Sequence, residues 1–473
     1  MAQPWTAFGL ELPLLLKRTG QGRVAGQLET ALRSAINSGR LGKGTRLPST
    51  RTLAFDLGLS RGTVVEVYSQ LVAEGYLIAR QGSGTEVAVG ARPLALARTG
   101  SARPGPRARW DFRPSLPDLS LFPRPAWRRA LTWALDNMAD EALGYGDPRG
   151  VESLRTELAQ YLRRVRNVHA DPEHIVICSG VTQALTLICR VLSDHPDVAV
   201  EDPGSPALCA RISTAGLLPV SIPVDAEGLR VDLLRSSPAK AALVTPAHQF
   251  PTGVVLSARR RADLLRWAAE GGLVIEDDYD AEFRYDHRPT EALQSASPDR
   301  VLYAGSASKA LAPALRLGWL VLPAHLVDSI ADAKQTDDLG SPAVEQYAFT
   351  HLLATGAYDR HLRHARTIYQ SKRDALMKAI QRHLPIADIH GISAGLQTMI
   401  SLPSAVDEHQ LVKTARRVGV GIYPLGDYGS GSRRIGPGLV LGFASLGPSE
   451  IASGIECLGQ CITQLLSVDH ERR

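Results

Sequence analysis

The chain predicts an α/β protein in two parts: a small N-terminal winged helix-turn-helix head and a large body around a mostly parallel sheet. Three observations predict it. The 473 residues exceed what one hydrophobic core ordinarily organises. Residues 1–110 carry 15 Lys and Arg against 6 Asp and Glu, whereas the remainder carries 38 against 42. Beyond residue 170, short apolar runs alternate with helical segments, the pattern of strands and crossover helices. A basic head on a mildly acidic body implies a polyanionic partner for the head alone.

In the head, Leu28, Leu32 and Ile36, flanked by Ala31 and Ala35, recur at helical spacing until Gly39, Gly42 and Gly44 break the helix. Ser49 caps a second helix that Gly58 closes, and Ser60 caps a third that runs through Val64, Val67, Tyr68 and Leu71 to Glu74-Gly75. Two short helices joined at Gly58-Leu59-Ser60 make a helix-turn-helix. Residues 76–80 and 85–89 alternate as the strands of a hairpin about Gln81-Gly82-Ser83-Gly84, the wing. Val65 is apolar on an outward face, where it meets either a thymine methyl or the head's own packing.

Residues 90–109 hold five arginines and no acid, are rich in Ala, Gly and Pro, and read as a flexible linker. The expected division is therefore a head over 1–89, a linker over 90–109 and a body over 110–473. Five cysteines without a CxxC pair give no metal-ligand pattern and no disulfide framework, as in a reducing cytoplasm. The apolar run 12–16 is too short for a signal or a membrane span, so the expected location is cytoplasmic, with no membrane partner.

In the body, apolar runs at 174–178, 198–200, 241–244, 272–275 and 301–304 read as strands. Ligands of such sheets bind beyond the strands' carboxyl ends. There stands Ser306-Ala307-Ser308-Lys309, with Arg316 seven residues on. A lysine among small hydroxyl residues suits a phosphorylated aldehyde: the amine forms a Schiff base while Ser306, Ser308 and Arg316 hold the phosphate. The strand at 272–275 leads into Glu276-Asp277-Asp278-Tyr279-Asp280, with Asp277 and Tyr279 on one side of an extended backbone. Such a cluster alone serves a metal site or a solvated loop as often. Beside Lys309 it suits a pyridine nitrogen held protonated by Asp277, with the Tyr279 phenol on the ring oxygen. Gly180-Val181-Thr182 opens a helix whose free amides favour a phosphate.

Two resemblances follow from these motifs. Leu47-Pro48-Ser49-Thr50-Arg51, Leu57-Gly58-Leu59-Ser60-Arg61-Gly62-Thr63-Val64, Glu74-Gly75-Tyr76-Leu77 and Gly82-Ser83-Gly84-Thr85 resemble the GntR family of bacterial regulators. The body, through Asp111-Phe112-Arg113-Pro114, Leu121-Phe122-Pro123, the Tyr145 segment, 248–253, 276–285 and 306–318, resembles fold-type-I pyridoxal-phosphate aminotransferases. Joined, the two are similar to the MocR/GabR-type regulators.

The resemblance implies Arg51 and Arg61 as the main contacts to double-stranded DNA, Ser60 and Thr63 on phosphate or base edges, and Gln81 and Gly82 at the minor groove. Gly62 replaces a more usual polar residue. It implies pyridoxal 5'-phosphate bound covalently at Lys309, with Asp277, Tyr279, Ser306, Ser308, Arg316 and the Gly180, Val181 and Thr182 amides in the roles given above. Tyr145 matches a tyrosine that crosses to the neighbouring subunit's phosphate, which requires a homodimer. His248 or Gln249 shapes the floor near the ring oxygen. Two departures stand out. Ser205 occupies the place of an aromatic that stacks on the cofactor ring, and residues 438–444 lack the arginine that grips a substrate carboxylate, leaving Arg433 or Arg434 as substitutes. The expected function is a transcriptional regulator, not an enzyme, with residual transamination allowed. Its body senses the cofactor or a small amino-compound effector and controls vitamin B6 or amine and amino-acid metabolism genes. The alternatives are a working aminotransferase with a DNA-binding appendage and a body serving only as a dimerisation scaffold.

Overall fold

Helix ends in the head fall where short-range chemistry puts them. The structure, a computed structural model, describes residues 24–37, 40–80, 84–88, 108–285, 291–431 and 436–471. The Ser49 hydroxyl accepts the Thr52 amide at 3.1 Å ahead of the helix Thr50–Leu57, which Gly58 ends at φ 60°. The Ser60 hydroxyl accepts the Thr63 amide at 3.1 Å ahead of Arg61–Ala73. Each cap satisfies an amide that the helix leaves unpaired and is worth about 1 kcal/mol. The helix Val24–Asn37 packs Leu28, Leu32, Ala35 and Ile36 into one core with Val64, Val67, Tyr68 and Leu71. That core keeps its one buried phenol satisfied: the Tyr68 hydroxyl donates to the Pro48 carbonyl at 3.0 Å.

The wing has three strands. Leu77–Arg80 pairs antiparallel with Gly84–Val87, and Arg46–Leu47 pairs with the other edge of Gly84–Val87. Gln81 and Gly82 lie outside the described residues, as does 89–107, which holds most of the tract read as a linker. The chain separates into two compact units, residues 1–105 and 106–473.

In the larger unit an eight-stranded sheet runs in the order Ile175–Cys178, Gly318–Val321, Val301–Ser306, Leu273–Asp278, Ala241–Val244, Asp197–Asp202, Leu218–Asp225, Gly228–Leu229. Pairing is parallel from Val301–Ser306 through Leu218–Asp225, while Gly318–Val321 is antiparallel to both its neighbours. The central strands are buried on both faces, which explains their unbroken apolar runs. Helices such as Val181–Val191 and Ala258–Ala269 cover the sheet, and two apolar clusters flank its strands.

The body's first residues are fastened far along the chain. Trp110–Asp111 pairs parallel with Val420–Gly421, with the Trp110 amide on the Gly419 carbonyl at 3.0 Å and the Phe112 amide on the Gly421 carbonyl at 2.9 Å. Phe112 is fully buried, and a Cβ added to Gly454 would stand 2.7 Å from its ring. This pairing lays residues 113–115 beside the carboxyl ends of the sheet strands. Among the described residues, no helix is long and apolar enough to cross a membrane.

Candidate functional site

A cavity of about 430 Å³, a volume suited to a small cofactor, opens at the carboxyl ends of the parallel strands. Asp277, Tyr279, Ser306, Ser308, Lys309, Arg316, Val181 and Thr182 all line it, so segments up to 135 positions apart meet there. Strand register explains part of this. Asp277 pairs with Ala304, and Ser306 ends the next strand. Asp278, one residue out of phase, faces away from Asp277 and takes Arg166 Nε at 2.7 Å and the Tyr303 hydroxyl at 2.5 Å.

Lys309 Nζ donates to the Ser115 carbonyl at 2.7 Å. Burial lowers its pKa, and the carboxylates of Asp280 and Asp277 oppose that shift. Lowering enlarges the neutral fraction, the form that attacks an aldehyde. Burial, reinforced by Asp278, pushes Asp277 up to about 7, while Lys309 pulls the other way. Asp277 Oδ1 is buried and has no hydrogen-bond partner among the described residues. A buried acceptor left open beside a cavity fits a cationic pyridine N–H.

The Gly180 turn, where a phosphate is expected, presents backbone. Gly180 sits at φ 88° ahead of the helix Val181–Val191, whose first amides have no partner within the helix. The Arg316 guanidinium donates to the Ser179 carbonyl, and its Nη2 lies 3.2 Å from where a Gly180 Cβ would be. A Cβ on Gly318 would stand 2.7 Å from Gly180 Cα, so these two glycines let strand and turn touch. Ser115 and Arg316 both adopt positive φ, 59° and 52°, in the cavity wall, a strain that sites of function commonly store. The donors, the open acid and the lysine together fit a phosphorylated pyridine aldehyde.

His248 and Gln249 do not line the cavity. The Asp280 carboxylate turns the His248 ring inward, with Nδ1 at 2.9 Å from Oδ2, and the same Nδ1 lies 3.0 Å from the Tyr279 hydroxyl. Gln397 Nε2 donates to that hydroxyl at 2.9 Å, so His248 stands behind the phenol and positions it. Gly395 makes the room: a Cβ there would come within 2.2 Å of His248 Cε1. Gln249 is spent on Glu201, Pro203 and Phe250. Tyr145 is 88% exposed and borders a separate cavity of about 590 Å³ with Leu339 and Pro342.

The cavity also holds residues that sequence reasoning passed over. Ser115, Glu201, Phe250, Tyr423 and Tyr428 line it, and Arg113 lines it too. Phe250 and Tyr428 meet edge to face at 5.4 Å on the same cavity as Ser205, so aromatic surface is present even though Ser205 supplies none. Burial pushes Glu201 up to about 7 while its carboxyl accepts from the Thr245 hydroxyl and amide. Arg433 and Arg434 lie outside the described residues.

In the head, Arg51, Ser60 and Arg61 are exposed and Thr63 is half-buried, its hydroxyl 2.8 Å from that of Ser60. Val65 is 42% exposed while Val64 and Val67 fill the core, which leaves Val65 on the outer face.

Comparison with known proteins agrees with both halves. Residues 24–87 match the family of bacterial regulatory proteins, gntR family, and residues 117–432 match aminotransferase class I and II. The chain is 32% identical to the probable rhizopine catabolism regulatory protein MocR of Rhizobium meliloti, over 96% of this chain and 97% of that one. It is also 32% identical to the pyridoxine biosynthesis transcriptional regulator PdxR of Corynebacterium glutamicum, over 92% of this chain and 95% of that one. Kynurenine aminotransferase of Pyrococcus horikoshii, solved with PMP, superimposes with a TM-score of 0.70 at 28% identity, covering 76% of this chain and 91% of that one. An exposed helix-turn-helix of this kind binds DNA, and a body of this fold binds pyridoxal 5'-phosphate. The chain belongs to the MocR/GabR-type subfamily of GntR transcriptional regulators, in which a winged helix-turn-helix is fused to an aminotransferase-like domain.

Proposed function

We propose that this regulator uses its body as a sensor: ligand chemistry in the Lys309 cavity sets how the heads engage an operator. The observation that carries the reading is that Asp277 lines the cavity that holds Lys309 and that its buried Oδ1 has no hydrogen-bond partner among the described residues. When bound, pyridoxal 5'-phosphate supplies an aldehyde that reacts reversibly with amines. Lys309 provides the tethering amine and Asp277 holds the ring proton. Tyr279, positioned by His248, Asp280 and Gln397, donates to the ring oxygen. Ser306, Ser308, Arg316 and the Gly180–Thr182 turn bind the phosphate. A ligand shifts the operator equilibrium only through its different affinity for two arrangements of the protein.

The same reading divides the chain into a head over 1–89, a linker over 90–109 and a body over 110–473, acting in the cytoplasm as a homodimer. Tyr145 supports the dimer: it is exposed and away from its own chain's Lys309 cavity, where a neighbouring subunit's phosphate can receive it. The PdxR relative, named for pyridoxine biosynthesis, supports vitamin B6 genes as one class of target. The rival, a working aminotransferase, draws on the same retained lysine and acid. Incubation with a panel of amino and keto acids separates the two: repeated turnover at enzyme-like rates establishes the rival, and little or none supports a sensor.

DNA engagement is tested in the head. Arg61 opens the recognition helix, exposed and at the position from which a guanidinium forks onto guanine or phosphate. Arg61→Ala weakens operator binding by roughly ten- to a hundredfold, measured by fluorescence anisotropy at fixed salt. An unchanged affinity removes Arg61 from the interface.

A further inference from the structure

Arg113 is a cation of the cavity wall that the cofactor leaves without a task. It lies two residues ahead of Ser115, whose carbonyl accepts from Lys309 Nζ at 2.7 Å, so one short segment serves both groups. The guanidinium is anchored by one edge only. Its Nε donates to the Tyr423 hydroxyl at 3.0 Å, and that hydroxyl donates to Asp111 Oδ1 at 2.9 Å. Asp111 Oδ2 stands 3.3 Å from Nη2 and pairs with it electrostatically. Neither terminal nitrogen donates a hydrogen bond among the described residues, and the side chain is 59% exposed.

A planar fork fixed at Nε, whose terminal nitrogens make no hydrogen bond among the described residues and meet only the Asp111 charge, matches a carboxylate, which accepts two parallel hydrogen bonds. The wall's other guanidinium, Arg316, is held elsewhere, on the Ser179 carbonyl at the Gly180 turn. The cavity therefore carries two separately anchored anion receivers, and a cofactor with a single phosphate occupies one of them. The second calls for an anion on the effector.

We infer that Arg113 binds the carboxylate of a small amino acid whose amine enters the Lys309 cavity, which makes the effector an amino acid and not a simple amine. The inference rests on the sensing role proposed above and names its ligand class. Asp111 limits the affinity by competing for the same guanidinium, and Tyr423 sets its orientation.

The test is calorimetric titration of the full-length, cofactor-loaded protein with matched pairs: L-alanine against ethylamine, and 3-aminopropionate against propylamine. We expect at least one amino acid to bind about tenfold or more tighter than its carboxylate-free partner, the scale of a charge-assisted bidentate contact. Arg113→Gln brings that pair to within about threefold by weakening the amino acid alone. Tyr423→Phe, which frees Nε but keeps the charge, gives a smaller loss. It also decides the matter should Arg113→Gln fail to fold. Equal affinities within every wild-type pair, or a preference that survives both substitutions, overturn the inference. Cofactor uptake is read separately by absorption: a wild-type protein that takes up none removes the sensing role and this inference with it, whereas equal affinities in a loaded protein remove this inference alone.

Discussion

Lys309→Ala abolishes the near-visible absorption band that the wild-type protein develops with pyridoxal 5'-phosphate. The expected effect is all-or-none because the band reports a covalent link that alanine cannot make. Ser306, Ser308, Arg316 and Asp277 stay in place, so the variant retains weaker, non-covalent binding, read as a free-aldehyde spectrum. Folding is not at issue: Lys309 makes one hydrogen bond, to the Ser115 carbonyl, and its truncation leaves a carbonyl bordering a cavity that water can enter. A band of unchanged intensity in Lys309→Ala would place the link on another amine.

Asp277→Asn lowers cofactor affinity by about a hundredfold to several thousandfold, the consequence of breaking one buried charge pair at roughly 3–5 kcal/mol. Equilibrium dialysis of cofactor against both proteins measures it. The same substitution carries a pH signature in the cofactor-free protein. Burial raises the folded pKa of Asp277 to about 7, above its value in the unfolded chain. Between about pH 4 and pH 7 the folded chain thus keeps a proton that the unfolded chain has lost. The stability this acid contributes is fully present below pH 4 and is lost as pH rises through about 7. Asn carries no such proton, so Asp277→Asn flattens that part of the melting-temperature profile. A profile identical in both proteins would show that Asp277 is ionised already in the empty cavity.

Much of the head was legible because its boundaries are local. Ser49, Gly58 and Ser60 cap helices through contacts three or four residues away, and the expected bounds coincide with the observed ones. The strand Arg46–Leu47 was not legible: two residues show no alternation, and its partner lies some forty residues on. In the body, Leu218–Asp225 escaped notice because Pro219 and Pro223 interrupt its strand character. The antiparallel direction of Gly318–Val321 is decided by pairing with Val301–Ser306 and Ile175–Cys178, which no local pattern encodes.

The site divides the same way. Lys309, Ser306, Ser308 and Arg316 announce themselves because they lie within eleven residues of one another, and Asp277 and Tyr279 because they come at the end of a buried apolar run. Arg113 and Ser115 enter the cavity only because Trp110–Asp111 pairs with Val420–Gly421, more than three hundred residues away. His248 or Gln249 was expected to shape the floor near the ring oxygen; His248 stands behind Tyr279 and neither residue lines the cavity. The orientation of His248 depends on Asp280 and on the space that Gly395 leaves, neither of which a strand pattern reveals.

Control of the operator by the cavity is read in one titration. Operator affinity of the full-length protein is measured by anisotropy as pyridoxal 5'-phosphate is added, with Lys309→Ala alongside. Such control gives a saturable change of about fivefold or more in wild type, the usual size of a coupling between two sites, and none in the variant. Identical curves for the two proteins, or no change in either, would contradict it.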